Sequence, residues 1–255
     1  MINSYCMKNI LLIFFLLFAS SLTTTSKGDK DKPIRVLVIT GNHSYNKETF
    51  NAMFDSFGNK ITYQVTEFPE AYEMFLPENR NKYDVLVFYH MWQKITEEQK
   101  TILADCIRQG KPLVALHHSI CAFDDWEEYW HIIGGKYFHK PTILNGKKYP
   151  ACSYIHDIHF RASVVDGNNP VTKGVKDFDL FDETYKGYWV DPGVKPLLTT
   201  TDTTSTPVIG WTKTYGKARI VTLQSGHDSP TFQNPDFRKI LMQAIEWVYS
   251  NGGKK

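Results

Sequence analysis

Unbroken apolar runs recur along the first half of the chain, each followed by a stretch where apolar positions return every three or four residues. Pro33 to Thr40 reads PIRVLVIT, a β-branched run of the kind buried on both faces of a parallel sheet. It ends in the polar GNHSYN, and helical spacing then covers about Lys47 to Phe57. KITYQVTEF alternates as a second strand, and YDVLVFYH, Tyr83 to His90, is a third and fully apolar one. ITEEQKTILADCIRQGKP reads as a helix, with Thr96 and Gln99 spaced for a capping box and Gly110 with Pro112 ending it. PLVALHH is the fourth buried strand and DDWEEYWHII the helix after it. Strands alternating with helices at this spacing predict an α/β three-layer sandwich around a mostly parallel, doubly wound sheet.

Between Gly134 and about Asp191 the pattern loosens into short alternating segments, CSYIHDIHF and DLFDETYKGYWV, separated by turn residues. This reads as an irregular β-rich insertion or edge region able to overhang a pocket. Regularity returns in TPVIGWTKTYGKARIVTLQSGHD, two strands joined at a Tyr-Gly turn. NPDFRKILMQAIEWVYSNGG closes the chain as an amphipathic helix with Pro235 in its first turn.

The first residues follow a different rule. Lys8 precedes the apolar run ILLIFFLLFA and the small residues Ser20 and Ser21, the layout of a secretory signal peptide. The run is about half of the roughly 20 residues a membrane-spanning helix needs. Residues 1–26 are therefore expected to be a signal peptide, 27–33 a polar tether and 34–251 a single domain. That layout implies export across the inner membrane, to the periplasm, with no integral span in the mature protein. Cys6 leaves with the signal, so Cys106, Cys121 and Cys152 remain as an odd set: one bridge and a free thiol, or three thiols. The formal charge of +2 is spread without a long basic run, which excludes an evident nucleic-acid surface. Aromatic residues make up 14 % of the chain, with six Trp and fourteen Tyr. That supply suits a core, and equally a pocket that stacks on sugar rings.

Open α/β sheets bind ligands beyond the carboxyl ends of their strands. Three strand ends carry histidine there: Asn42 and His43 after the first, His117 and His118 after the fourth, His227 and Asp228 after the last. Imidazoles grouped with a carboxylate make a ligand set for zinc or a similar divalent ion. They equally make an acid–base pair working near neutral pH. His43, His117 and His227 are the metal candidates, and Glu183 in DETY is the candidate carboxylate with Asp228. Trp126 and Trp130, spaced i, i+4, read as core. Trp211 reads as a sugar platform or a sheet-face residue, and the residues do not separate the two. Cys121, between Ile120 and Ala122, shows no base beside it and reads as a buried thiol. Ser119 reads as the start of a helix cap.

VITGNHSYN, LVALHHS, FDETY, VVDGNNPVTKGVKDFDLFDETY and VIGWTKTYGKARIVTLQSGHD occur in an order and spacing that resemble the ThuA-like (trehalose-utilisation) family, from about Ile34 to Val248. The resemblance implies a fold similar to the class I glutamine amidotransferases, flavodoxin-like in outline. It also implies a role in sugar metabolism, notably the processing of 3-keto-glycosides made by partner oxidoreductases. In the amidotransferases a sharp strand-to-helix elbow carries a nucleophilic Cys; His117 stands there in this chain, so covalent amidotransfer is not expected. The catalytic set expected is then His43, His117, Glu183 and His227, with Asn42, His118, Tyr185, Trp211 and Asp228 contacting a small carbohydrate. The expected chemistry is hydrolase- or lyase-type cleavage of a keto-sugar. The other class of reading is a carbohydrate-binding accessory protein that keeps the fold without the reaction. Of His131, His139, His156 and His159, His139 in FHKP matches a family position better than the rest. Asn169 stands where relatives often carry His. Whether the protein works alone or as a homodimer is left open by the sequence.

Overall fold

A computed structural model describes residues 32–250; the expected signal peptide, and the tether through residue 31, lie outside the described residues. The chain runs β1 (Ile34–Gly41), α1 (Lys47–Asp55), β2 (Ile61–Glu67), β3 (Val85–His90), α2 (Glu97–Arg108), β4 (Leu113–Leu116) and α3 (Glu127–Ile133). The middle holds β5 (Gly135–Lys136), β6 (Thr142–Leu144), β7 (Lys147–Tyr149), β8 (Ser153–Val164), β9 (Phe178–Lys186), β10 (Trp189–Val190) and β11 (Lys195–Thr199). The end is β12 (Val208–Tyr215), β13 (Ala218–Leu223), α4 (Ser229–Gln233) and α5 (Pro235–Tyr249).

Nine strands form one sheet in the order β2-β1-β3-β4-β13-β12-β11-β8-β9. The first five are mutually parallel, and from β13 onward every pairing is antiparallel. Alternation along the central strands explains why both faces are covered. Val36 and Val38 of β1 pack with Phe50 and Phe54 of α1 and Phe237 and Ile240 of α5. Leu37 and Ile39 point the other way, toward Leu103 and Ile107 of α2 and Ile132 and Ile133 of α3. The sheet is therefore doubly wound, as the apolar runs predict.

Local chemistry starts the helices where the sequence indicates. Thr96 and Gln99 form the capping box of α2, and Asn234 accepts the Asp236 and Phe237 N–H groups ahead of α5 with Pro235 in its first turn. One expectation fails. Ser119 caps no helix: it lies inside a buried one-turn 3-10 segment, His117–Cys121, and α3 begins eight residues later without a side-chain cap. The burial of this segment among Phe88, Tyr129 and neighbouring core groups leaves no solvent-facing end for a cap to serve. Cys106, Cys121 and Cys152 are all free thiols.

The segments CSYIHDIHF and DLFDETYKGYWV become β8, β9 and β10, with β8 and β9 an antiparallel pair on the edge of the main sheet. Their register shifts between Ile155 and Ile158, so His156 and Asp157 both stand opposite Glu183. Asp157 takes the left-handed φ of +59°, the backbone signature of a β-bulge that re-aims its neighbours.

Candidate functional site

The carboxyl ends of β1, β3, β4 and β13 meet along one rim, beside the point where the strand order reverses between β1 and β3, where open α/β sheets bind ligands. At β4 the chain turns sharply. His117, the residue after the strand, adopts φ of +46°, a left-handed conformation that costs a non-glycine residue about 1–3 kcal/mol. This is the backbone geometry of a strand-to-helix elbow, with an imidazole on it.

The elbow aims His117 at two other side chains. Its Nδ1 lies 2.7 Å from the Gln224 carbonyl oxygen, which can only accept, so Nδ1 carries the proton. Its Nε2 is 2.9 Å from Glu183 Oε2, 3.2 Å from His227 Nδ1 and 3.0 Å from the Tyr185 hydroxyl. Glu183 Oε2 is in turn 3.3 Å from His227 Nδ1. In a neutral His117 ring, Nε2 and Oε2 would face each other lone pair to lone pair. A second proton on His117 or a shared cation must therefore occupy the space between them.

The geometry fits a cation. The three atoms form a triangle with edges of 2.9, 3.2 and 3.3 Å. An ion at the usual imidazole and carboxylate bond lengths of about 2.0–2.2 Å would sit roughly 1 Å off the plane of such a triangle. His117 and Glu183 are buried and His227 is half-buried. The Nδ1–H of His117 is held by a backbone carbonyl, the outer-shell arrangement that orients a ligating imidazole. Two histidines and one carboxylate suit zinc or another divalent transition metal, with positions left open.

The electrostatics of the pocket follow the same contacts. Burial would raise the Glu183 carboxyl, but hydrogen bonds from His117 and His227 outweigh it and hold the group well below the usual carboxylate range. Burial would lower His227, and its hydrogen bond to Glu183 reverses this, raising it. His43 is pushed down to about 4 by burial and by the charges of His117 and His227, so it is a neutral imidazole at neutral pH.

Asp182 fixes the far side of the cluster. It is buried, and its two oxygens accept the Gly226 and His227 backbone N–H groups at 2.7 and 2.9 Å. Gly226 has φ of +119°, a conformation that side-chain-bearing residues rarely adopt. A carboxylate on β9 thus anchors the turn that carries His227. His156, turned by the β8 bulge, brings Nε2 to 3.5 Å from Glu183 Oε1 and its ring to 4.8 Å from that of His227.

Above the cluster lies a pocket of about 340 Å³ walled by Trp92, Tyr137, Tyr154, Tyr185, His43 and His156, with Glu183 at its base. Four of the sequence-expected residues, Asn42, His43, Glu183 and Tyr185, border it. Tyr185 is almost wholly buried and stacks on His117 at 4.8 Å.

Other expectations are corrected. His43 is stacked on His118 at 4.2 Å and lies outside the ligand triangle, where Glu183 takes the place expected for it. His117 itself has no accessible surface, so it meets a ligand only through Glu183, His227 or an ion. His118 is equally inaccessible, packed between His43 and Tyr89, and cannot touch a substrate. Trp211 is fully buried with its indole N–H on the Ile133 carbonyl, so it is no sugar platform. The physical reason is a slot: a Cβ at Gly135 would come within 2.7 Å of the Trp211 ring, so only glycine backbone packs there. Asp228 is exposed as the N-cap of α4, accepting the Ser229 N–H, and is absent from the pocket wall. Cys121 reaches the wall but is nearly inaccessible, and burial pushes its thiol far up, away from a nucleophilic thiolate.

Two functional candidates were missed in the sequence, His156 and Asp182. Neither carries a signal there: a bulge has no composition, and Asp182 reads as the opposite-face neighbour of Glu183.

The model of the ThuA family, described as trehalose utilisation, matches residues 35–248. The chain belongs to the ThuA family. A protein from Parabacteroides merdae described as ThuA-like has the same fold, with a TM-score of 0.70 at 19 % identity over 88 % of this chain and 93 % of that one. A second from Bacteroides uniformis gives 0.62 at 17 % identity, covering 86 % and 92 %. A Thermoplasma acidophilum protein described as part of a GMP synthase gives 0.50 at 9 % identity, covering 86 % and 95 %, so the fold extends to the amidotransferase type. No curated protein sequence matches the chain. Like the amidotransferases this ThuA-family chain has an elbow after a parallel strand, and it carries His117 there. No helix among the described residues is long and apolar enough to cross a membrane.

Proposed function

We propose that this ThuA-family protein is an exported enzyme that cleaves a 3-keto-glycoside by histidine and carboxylate acid–base chemistry. The observation that carries the reading is the convergence of His117, Glu183, His227 and His156 beneath an aromatic-walled pocket. Glu183 is the one carboxylate among the described residues lining that pocket. Ordinary glycosidases need two flanking carboxylates, so the arrangement favours a route that does without the second.

A ketone at C3 acidifies the hydrogen on C2. A base removes that proton, and the C2 electron pair, delocalised onto the C3 oxygen, returns to form the C1–C2 double bond as the C1–O bond breaks. The leaving oxygen takes a proton, and the aglycone departs. Stopping there is lyase chemistry; addition of water across the new double bond completes hydrolysis. His156 and His227 are the imidazoles of the cluster with accessible surface, so proton removal and delivery fall to them. His117 orients Glu183 from below, and Asp182 holds the turn bearing His227. A divalent ion held by His117, Glu183 and His227 would supply, when bound, a Lewis acid for the ketone oxygen.

The test is incubation of purified protein with 3-keto-glycosides, with and without a chelator, watching for free aglycone. Release that disappears in Glu183→Gln supports the reading, and chelator sensitivity reversed by zinc supports the ion. No aglycone from any 3-keto-glycoside overturns catalysis and leaves carbohydrate binding, which calorimetry reads directly. Export rests on the leader layout of residues 1–26; recovery of the full chain from the cytoplasm alone would remove it.

A further inference from the structure

Beside the pocket over the histidine cluster lies a second, larger cavity of about 770 Å³, lined by Trp92, Gln93, Phe123, Asp125, Trp126 and His139 among others. Trp92 and His139 belong to the walls of both. Trp92 is 49 % exposed, an unusual state for the largest apolar side chain beside a cavity. Its φ of +30° is a left-handed conformation that a bulky residue does not adopt without cause.

The indole is held by polar contacts instead of packing. Its N–H donates to His139 Nε2 at 2.6 Å. Because Nε2 accepts, Nδ1 of His139 carries the proton, and it lies 2.9 and 3.1 Å from the two Asp124 oxygens. Asp124 takes a further hydrogen bond from the buried Lys136 ammonium at 2.6 Å. From the other side the Asn42 amide donates to the Trp92 carbonyl, and the Met91 N–H to Gly41. A chain of Lys136, Asp124, His139 and Asn42 thus fixes a half-exposed indole between two cavities. An aromatic face kept open at such cost in packing is a surface awaiting a ring.

We infer that Trp92 is the stacking platform of a second subsite, which receives the leaving-group ring of a two-ring glycoside while the keto-sugar ring occupies the pocket over Glu183. The inference rests on the proposed function for the identity of the first ring, and on the shared wall for the second. It names the substrate class as a disaccharide or a glycoside with a cyclic aglycone, not a simple alkyl glycoside.

Two measurements keep the inference apart from the proposed function. The first compares kcat/KM for a 3-keto-disaccharide and a methyl 3-keto-glycoside in wild type, Trp92→Ala and Trp92→Phe. The preference for the two-ring substrate should fall by about tenfold in Trp92→Ala, the loss expected for uncovering one ring face, and largely persist in Trp92→Phe. The second is calorimetric titration with trehalose and methyl α-glucoside, which need no turnover. The same preference should appear in wild type and shrink in Trp92→Ala. If no 3-keto-glycoside is cleaved yet this binding difference holds, the proposed reaction falls and the subsite stands. An undiminished preference in Trp92→Ala, or no preference in wild type, overturns the subsite.

Discussion

The parallel half of the sheet and its antiparallel extension contribute to the site in different ways. From the parallel half come His43, His117 and His227, each on a turn just past a buried strand. From the extension come Asp182, Glu183 and Tyr185 of β9 and His156 of β8. The first set stands at strand ends, where backbone geometry alone aims side chains at the rim. The second set lies within strands, and reaches the rim only because β8 and β9 fold over it with a bulge opposite Glu183. A rim of histidines is therefore the property of the parallel strands, while the carboxylates that organise it belong to the antiparallel edge. Neither half forms the cluster alone.

The extension also supports the core. Trp211 of β12 fills the slot over Gly134 and Gly135. Trp211→Ala should cost about 3–5 kcal/mol of stability, the range for emptying a fully buried aromatic, read by denaturant unfolding. A cost under about 1 kcal/mol would mean the two halves are energetically separate.

Glu183→Gln should lower turnover by about a thousandfold with the fold intact by circular dichroism, and lower zinc uptake in elemental analysis. His117→Ala should fall by a similar factor. If only the histidine variant is impaired, the antiparallel half is scaffold and not site. His156→Ala should lose about a hundredfold in kcat, since its ring is the more exposed of the proton-transfer pair. Equal activity to wild type would assign proton transfer to His227 alone.

Asp182→Asn removes the charge that anchors the Gly226–His227 turn and should lower turnover about tenfold. In combination with His227→Ala its effect should vanish, because it acts through that residue. Additive effects would detach Asp182 from the site.

The smallest effect concerns acid. Asp124 would be raised by burial, but the hydrogen bonds of His139 and Lys136 hold it at about 2. A depressed carboxyl stabilises the fold above the ordinary carboxylate value, near 3.9, and loses that contribution as pH falls through the folded value. Asp124→Asn should therefore flatten the stability profile between about pH 4 and pH 2. Asp124 is 43 % exposed on its side chain, which limits the change to a fraction of about 1 kcal/mol.

The central strands β1, β3 and β4, the capping box of α2, the Tyr-Gly turn and the closing helix follow from local patterns, because burial on two faces and helix capping are written in neighbouring residues. The histidines at three strand ends follow likewise, since a strand's direction determines which of its ends meets the rim. Trp211 and Asp228 show the limit of that logic. A polar run after Trp211 suggests exposure, but a glycine pair far earlier in the sequence makes a slot for it. His117 and His118 differ in the same way: both are buried, and only the backbone turn at His117 decides which imidazole meets Glu183.

By itself the sequence determined a doubly wound α/β sheet of the ThuA family with imidazoles at its carboxyl rim, because those features depend on spacing along the chain. Only the tertiary structure decided that Glu183 joins His117 and His227, that Asp182 braces them, that His156 enters and that Trp92 stands open between two cavities. Each of those depends on strands far apart in sequence meeting through a bulge, an elbow or a shared wall, and no local pattern encodes such a meeting.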